Sequence, residues 1–284
     1  MTRLYVSADL EGVCGVNSPH QCAASPARRE AYDAAVAQLA LEVATVCKAA
    51  LAAGAREILV NDAHMTMTNL ALAHLPGPDS RIRLLSGKPK PAAMLAGLDL
   101  SIDGVVLLGY HAKAGSSPAV LPHTFHDKLA DVRVNGLSLG EGGFNAYYAS
   151  LAHQAPVILA SGDQALCREI TALIPAVRTV ETKTALGYAA ALHRSAADVL
   201  TAYRETVTQL MADCDRWRDN LLEMPGPYTL EVTVVSPLYA DLIMVSPDWI
   251  RLDGVRVRRE LSDFSSAYLA LQSAYATFAY EQTL

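Results

Sequence analysis

Residues 56–62, REILVND, decide the fold. They form a short apolar run that ends in two polar residues, the pattern of a buried strand running out at its carboxyl end. A similar run, RLYVSA at 3–8, stands near the start of the chain. Between them lies a long alanine-rich stretch. Ser25-Pro26 supplies an N-cap and a first-turn proline, and Gly54 supplies a stop near Ala53. Strand, helix and strand with short joins make a βαβ unit, and therefore a parallel sheet.

Working outward, GVVLLGYH (104–111) reads as a third strand and PVILASGD (156–163) as another. Helices are expected over FNAYYASLAHQ, over QALCREITALI and from Ser195 to about Leu222. DVRVNGLSLGE holds an Asn135-Gly136 pair between alternating apolar residues, the signature of a type I′ hairpin. Pro225-Gly226-Pro227 punctuates the chain before YTLEVTVVS, GVRVRREL and a last helix from about Ser262. The expected fold is α/β: a mostly parallel sheet flanked by helices, with a smaller α+β C-terminal portion. The expected division is a catalytic, metal-binding part over 1–190 and a part for packing and oligomerisation over 191–284.

Composition narrows the function. With 51% hydrophobic residues and 18% charged, the chain can bury a large core without disulfides. A net charge of −6 argues against nucleic acid or an anionic membrane as partner. Five scattered cysteines with no CxxC pair suit a reducing cytoplasm. No signal peptide is read at the N-terminus, and the apolar stretches are read as too short to span a membrane.

The polar residues fall in a pattern. Asp9 and Glu11 follow the first strand, Asn61, Asp62 and His64 the second, and His111 the third. Ligand sites of open parallel sheets form outside the carboxyl ends of the strands. Two residues apart on extended backbone, Asp9 and Glu11 would point the same way, and two such carboxylates repel unless a cation or proton lies between them. With imidazoles nearby, a divalent metal resolves the repulsion, and the mixed donor set suits zinc. Taken singly, each of these residues also fits a cap, a turn or a solvated group.

Other positions are open to two readings. Glu141, beside Gly142-Gly143, fits a carboxylate favoured by the dipole of the following helix more simply than a ligand. His123 and His126 lie in a loop after the third strand, where a histidine can serve as general base or steady a developing oxyanion. Lys88 or Lys90 of SGKPKP could meet a substrate carboxylate. Cys14 reads as a small buried hydrophobe rather than a nucleophile. His20, His74, His153 and His193 read as structural.

Taken in order, YVSADLEGVCG, LVNDAHMTMTNL, LLSGKPKP, LLGYHA, LPHTF, LGEGGFNA and SGD resemble the zinc-dependent D-aminopeptidase family of the bacterial dipeptide-transport operon type. The resemblance covers nearly the whole chain and is strongest through about residue 165. It implies two Zn2+ per subunit, with Mn2+ or Co2+ as alternatives. Asp9 would bridge the ions, with Glu11, His64, His111 and Glu141 completing the set. His123 would be the catalytic histidine, although the nearby His126 competes for that role. Asn145, Asp163 and Lys183 occupy motif-like positions with supporting roles.

The family pattern further implies a cytoplasmic, ring-shaped decamer with an internal chamber. Its activity would be removal of N-terminal D-amino acids, D-alanine above all, from short peptides and amides. Two zinc ions bring the pKa of a shared water to about 7, so that hydroxide attacks the scissile carbonyl. Two rivals stand beside this expectation. One is another dinuclear hydrolase, an amidase or phosphoesterase; the other is a non-catalytic ring-forming metal-binding protein.

Overall fold

The computed structural model describes residues 2–76 and 79–279. Its βαβ opening is β1 (Arg3–Ala8), a short α1 (Pro19–Cys22), α2 (Arg29–Ala52) and β2 (Glu57–Asp62). The parallel sheet continues through β3 (Ile82–Leu85) and β4 (Gly104–Leu108), and a hairpin follows as β5 (Leu129–Val134) and β6 (Leu137–Ser138). Next come α3 (Glu141–His153), β7 (Val157–Asp163), α4 (Gln164–Leu173), β8 (Arg178–Gly187), β9 (Ala190–His193) and α5 (Ala196–Ala212). The last segment comprises β10 (Tyr228–Val234), α6 (Pro237–Ile243), β11 (Ile250–Arg251), β12 (Arg256–Leu261) and α7 (Phe264–Ala276).

Seven strands form one sheet in the order β3-β2-β1-β4-β7-β8-β9, parallel except for the β8–β9 pair. β1 lies between β2 and β4, so the three strand ends carrying the polar motifs are neighbours. Strand alternation sets the two faces. Leu4, Val6 and Ala8 pack with α2 and α5, while Tyr5 faces the opposite layer with α3 and α7. The α/β architecture is as expected.

The second sheet, β11-β12-β10-β5-β6, is antiparallel. It draws strands from both sides of residue 190: β10 pairs with β5, and α5 packs back on α2 of the opening unit. Asn135 and Gly136 turn the β5–β6 hairpin with φ of 50° and 82°, as a type I′ turn needs.

Several boundaries differ from expectation. Pro26–Arg28 form a 3-10 turn and the α-helix begins at Arg29, because Ser25 makes no side-chain cap bond. α5 ends at Ala212 and a 3-10 segment, Cys214–Asn220, carries the chain on. β3 is an edge strand whose short, half-exposed pattern hides it in the sequence. Contrary to the expectation, one stretch is long and apolar enough to cross a membrane: Pro26–Ala52, with a mean hydropathy of 1.5. Its Val36, Leu39, Val43 and Val46 are buried in the protein core.

β4 stops at Leu108, short of His111, for a steric reason. Gly109 has φ +71°, and a Cβ there would stand 2.3 Å from the Asp9 carbonyl oxygen. The loop after β1 lies backbone to backbone against this exit, with Gly12 N–H donating to the Gly109 carbonyl at 2.7 Å. The close approach brings the Asp9–Glu11 and His111 segments together. Gly109→Ala is therefore expected to cost about 3 kcal/mol or more in a urea melt, through steric overlap and a disfavoured φ.

Candidate metal centre

Asp9, Glu11, His64, His111, His123 and Glu141 converge on one buried spot above the carboxyl ends of β1, β2 and β4. Asp9, Glu11 and His111 offer ligand atoms within 4.8 Å of one another, as do His111, His123 and Glu141. His111 belongs to both groups. His64 Nδ1 stands 3.1 Å from Asp9 Oδ1 and 3.1 Å from Glu11 Oε2. Asp9 Oδ2 faces His111 Nε2 at 3.7 Å, so its two oxygens address different imidazoles.

Each side chain arrives by its own route. Asp9 and Glu11 lie beyond the last residue of β1, so a turn rather than strand alternation gathers them; Val13 N–H donates to the Leu10 carbonyl. Asp62 fastens the loop carrying His64 by accepting from the backbone N–H of Asn69 and Leu70 at 2.6 and 2.7 Å. Glu141 opens α3 directly after Gly140, and its Oε2 accepts from Phe125 N–H at 3.0 Å. Asp163 caps α4 and also accepts from Val120 N–H at 2.7 Å, which ties down the loop leading to His123.

The tautomers follow from the carbonyl contacts. A carbonyl oxygen only accepts, so the ring nitrogen facing it carries a proton. His64 Nε2–H donates to the Cys22 carbonyl at 2.6 Å, His111 Nδ1–H to Ala112 at 3.1 Å and His123 Nδ1–H to Leu121 at 2.9 Å. The opposite nitrogens of His64 and His111 are thereby turned toward carboxylate oxygens. Without a proton or cation, lone pair faces lone pair. This backbone anchoring of one nitrogen is the usual support of a metal-bound histidine.

Two buried atoms register the same conflict. Glu11 Oε2 and His111 Nε2 have no hydrogen-bond partner, although His64 and Glu141 respectively lie against them. Burial and the Glu11 charge push Asp9 up to about 7. Burial opposes charge on Glu11 and Glu141, yet His64 and His111 hold those two carboxyls below their ordinary range. Burial likewise opposes protonation of His64, but Glu11 and Asp9 lift it well above the usual histidine range. His111 is raised to about 10, Glu141 outweighing its burial. In the metal-free chain the imidazoles hold protons where divalent ions would serve equally. Three carboxylates with His64 and His111 fit a zinc centre in donor type and in these unpartnered atoms.

His123 differs from its neighbours. It stacks on His111 with ring centroids 3.8 Å apart, and burial and His111 lower its pKa, so it stays neutral near pH 7. It also borders a cavity of about 550 Å³, lined in addition by Glu11, Lys88, Phe125 and Tyr188. His126 borders the same cavity but contacts Asp127 at 2.8 Å and lies outside the ligand clusters.

The remaining candidates fall outside the cluster. Asn61 donates to the Ala93 and Met94 carbonyls. Lys90 Nζ is drawn inward to Asn61 Oδ1 and the Asp62 carbonyl, at 2.5 and 2.7 Å. Cys14 is buried, and burial followed by Glu42 raises its thiol pKa. Asn145 joins Tyr110 and Tyr268 by hydrogen bonds.

Lys183 carries more weight than its sequence setting suggests. Its buried ammonium donates to the carbonyls of Glu11, Val13 and Val16 at 2.6, 2.8 and 2.5 Å, clasping the loop that presents Glu11. Burial lowers its pKa to about 8. A lysine within a strand gives no hint of this, because the three carbonyls come from a distant part of the chain.

A cluster of carboxylates and imidazoles at the carboxyl ends of parallel strands defines a metallohydrolase on an α/β scaffold. The sequence profile of the D-aminopeptidase family matches residues 2–273, and the chain belongs to that family. Membership places it among the metallo-aminopeptidases, hydrolases of peptide bonds. A D-aminopeptidase of Bacillus subtilis (strain 168) is 35% identical over 190 residues, which is 66% of this chain and 66% of that protein. The match thus spans about two thirds of the relative's length. A solved structure described as the Zn-dependent D-aminopeptidase DppA from Bacillus subtilis, a self-compartmentalizing protease, superposes with a TM-score of 0.90. It is 27% identical and covers 97% of both chains.

Two outcomes test the site. Because His64 and His111 are protonated near neutrality without metal, zinc must displace protons, and raising pH favours binding. Apparent zinc affinity should increase from about pH 6 to about pH 8, with proton release seen by calorimetry in buffers of different ionisation enthalpy. Lys183→Met should weaken zinc binding by about 10–100-fold in equilibrium dialysis, because the Glu11 loop loses its clasp.

Proposed function

We propose that this chain is a dinuclear zinc aminopeptidase that removes the N-terminal D-amino acid, D-alanine in particular, from short peptides and amides. The observation that carries the reading is the placement of Asp9 between two imidazoles with protons fixed on their outer nitrogens, flanked by Glu11 and Glu141. Asp9, Glu11, His64, His111 and Glu141 would hold the ions. The descriptions of the relatives, D-aminopeptidase and Zn-dependent D-aminopeptidase, support both the metal and the stereochemistry.

When bound, zinc supplies a water acidic enough to attack near neutral pH and polarises the scissile carbonyl. The protein's own groups do the rest. The acidic residues attract the substrate's N-terminal ammonium, which favours release of terminal residues. His123 is neutral and has its Nδ1 proton held by Leu121, leaving the bare Nε2 to take up the proton that the attacking water loses; the imidazolium so formed can steady charge on the carbonyl oxygen and pass that proton to the leaving amine. Near-complete burial keeps bulk water away from the acids.

The reading includes a ring-shaped homodecamer working in the cytoplasm. The self-compartmentalizing description of the solved relative supports homo-oligomerisation. The unpaired state of all five cysteines agrees with a reducing compartment.

Metal analysis of the purified protein should give two zinc ions per chain, and a panel of D- and L-alanyl peptides should show turnover of the D series. One ion per chain, or preference for an aryl phosphate, would sink the reading. His123→Ala should retain both ions while kcat falls by about 10²–10⁴-fold.

A further inference from the structure

Asn145 is wholly buried on α3, one turn past Glu141, and its amide is engaged at both ends. Its Oδ1 accepts from the Tyr268 hydroxyl of α7 at 2.8 Å, and its Nδ2 donates to the Tyr110 hydroxyl at 3.1 Å. Tyr110 lies 2.7 Å from Ser7 Oγ, and Ser7 Oγ donates to the Met94 carbonyl at 2.7 Å. Because the Ser7 proton goes to a carbonyl, Tyr110 is the donor of that pair. The protons therefore run one way, from Tyr268 through Asn145, Tyr110 and Ser7 to the backbone of Met94.

The same carbonyl receives a second branch. Asn61 Nδ2 donates to it at 2.6 Å, and Lys90 Nζ donates to Asn61 Oδ1 at 2.5 Å. Ala92 and Ala93, just before this meeting point, have φ of 54° and 33°. Alanine takes such angles only where its surroundings impose them. Here the turn aims the Ala93 and Met94 carbonyls at Asn61. Met94 also borders the small cavity formed by Asp9, His64 and Glu141.

Each side chain of the network sits close in sequence to a residue of the centre. Ser7 stands two residues before Asp9, Asn61 three before His64, Tyr110 next to His111 and Asn145 four after Glu141. Four segments that reach the centre by separate routes are thus joined beneath it. Ser7, Asn61, Tyr110 and Asn145 have no solvent exposure, so water cannot replace a bond that is lost. Apolar side chains could fill the same space. A buried polar network whose members are all satisfied does more, because it admits a single arrangement of the segments that carry it.

We propose that this chain of hydrogen bonds sets the spacing of the metal ligands, with Tyr110 and Asn145 as positioning residues and α7 tied to the centre through Tyr268. This goes beyond the aminopeptidase reading and rests on the cluster's being a zinc centre. Breaking the chain should loosen the ligand set while leaving every ligand in place.

Tyr110→Phe removes one hydroxyl from the middle of the chain, and Tyr268→Phe removes the one at its α7 end. In the full-length protein, Tyr110→Phe should weaken zinc binding by about 10–100-fold in equilibrium dialysis. With cobalt in place of zinc, its visible absorption bands should shift in position, which a loss of stability alone would not cause. Tyr228→Phe is the control, since its hydroxyl donates to the Met224 carbonyl at 3.1 Å, outside the chain. It should keep wild-type zinc affinity and cobalt bands. Because the two hydroxyls act in one chain, the double variant should lose less affinity than the product of the two single losses. Wild-type zinc affinity and cobalt bands in Tyr110→Phe would overturn the proposal. So would losses that simply multiply in the double variant, or an equal change in Tyr228→Phe. Should Tyr110→Phe fail to fold, Tyr268→Phe decides by the same two readouts. A wild-type chain that binds no zinc would overturn the zinc reading itself, and the proposal with it.

Discussion

Mutual repulsion among buried carboxylates is the constraint around which this protein is organised. Asp9, Glu11 and Glu141 are almost wholly removed from water, where a bare carboxylate is costly. The fold answers by bringing His64 and His111 against them and by fixing the proton on the outer nitrogen of each ring. That choice of tautomer turns the inner nitrogen of each ring toward the carboxylates, an arrangement that takes up protons in the bare chain and suits metal ions. Glu11 Oε2 and His111 Nε2 are the atoms at which the balance is visibly incomplete.

Holding such a cluster together requires stiff backbone, and the surrounding structure supplies it at some cost in sequence freedom. Gly109 and Gly12 let two loops meet with almost no side-chain volume between them. Asp62 and Asp163, which might be taken for ligands by type, spend their oxygens on backbone N–H groups and, for Asp62 Oδ1, on the Asn69 side-chain amide instead. Lys183 contributes a buried positive charge to the same end, converting three carbonyls of one loop into a cage around its ammonium. Metal-site rigidity here is a property of hydrogen bonds to backbone, made by residues that touch no metal.

The surroundings of the centre divide the labour of recognition. Acid lies at the bottom, beside β1 and β2, while neutral imidazole and apolar surface line the cavity above it. Acid at depth and apolar surface above it give the site a polarity along its depth. Enclosure in an assembly would strengthen this by limiting which molecules reach the cavity.

Much of this was legible in the chain. REILVND and RLYVSA around an alanine-rich helix identify a parallel sheet, since apolar runs buried on both faces leave an unmistakable pattern. Asp9, Glu11, His64 and His111 could be singled out because polar residues ending such strands gather at one edge. Glu141 could not: local spacing makes it an ordinary helix-opening carboxylate, and only its family pattern suggested more. The edge strand β3 and the early end of β4 were hidden, the first by its exposure and the second by a steric contact with the Asp9 carbonyl. The clasp of Lys183 and the carbonyl of Cys22 behind His64 were invisible, because backbone acceptors leave no trace in residue identity. Sequence by itself determined the opening βαβ unit, the central strands of the parallel sheet and the inventory of acids and imidazoles. Tertiary structure alone decided which nitrogen of each ring faces the acids and which charges are held or left free, because those depend on distances between segments far apart in the chain.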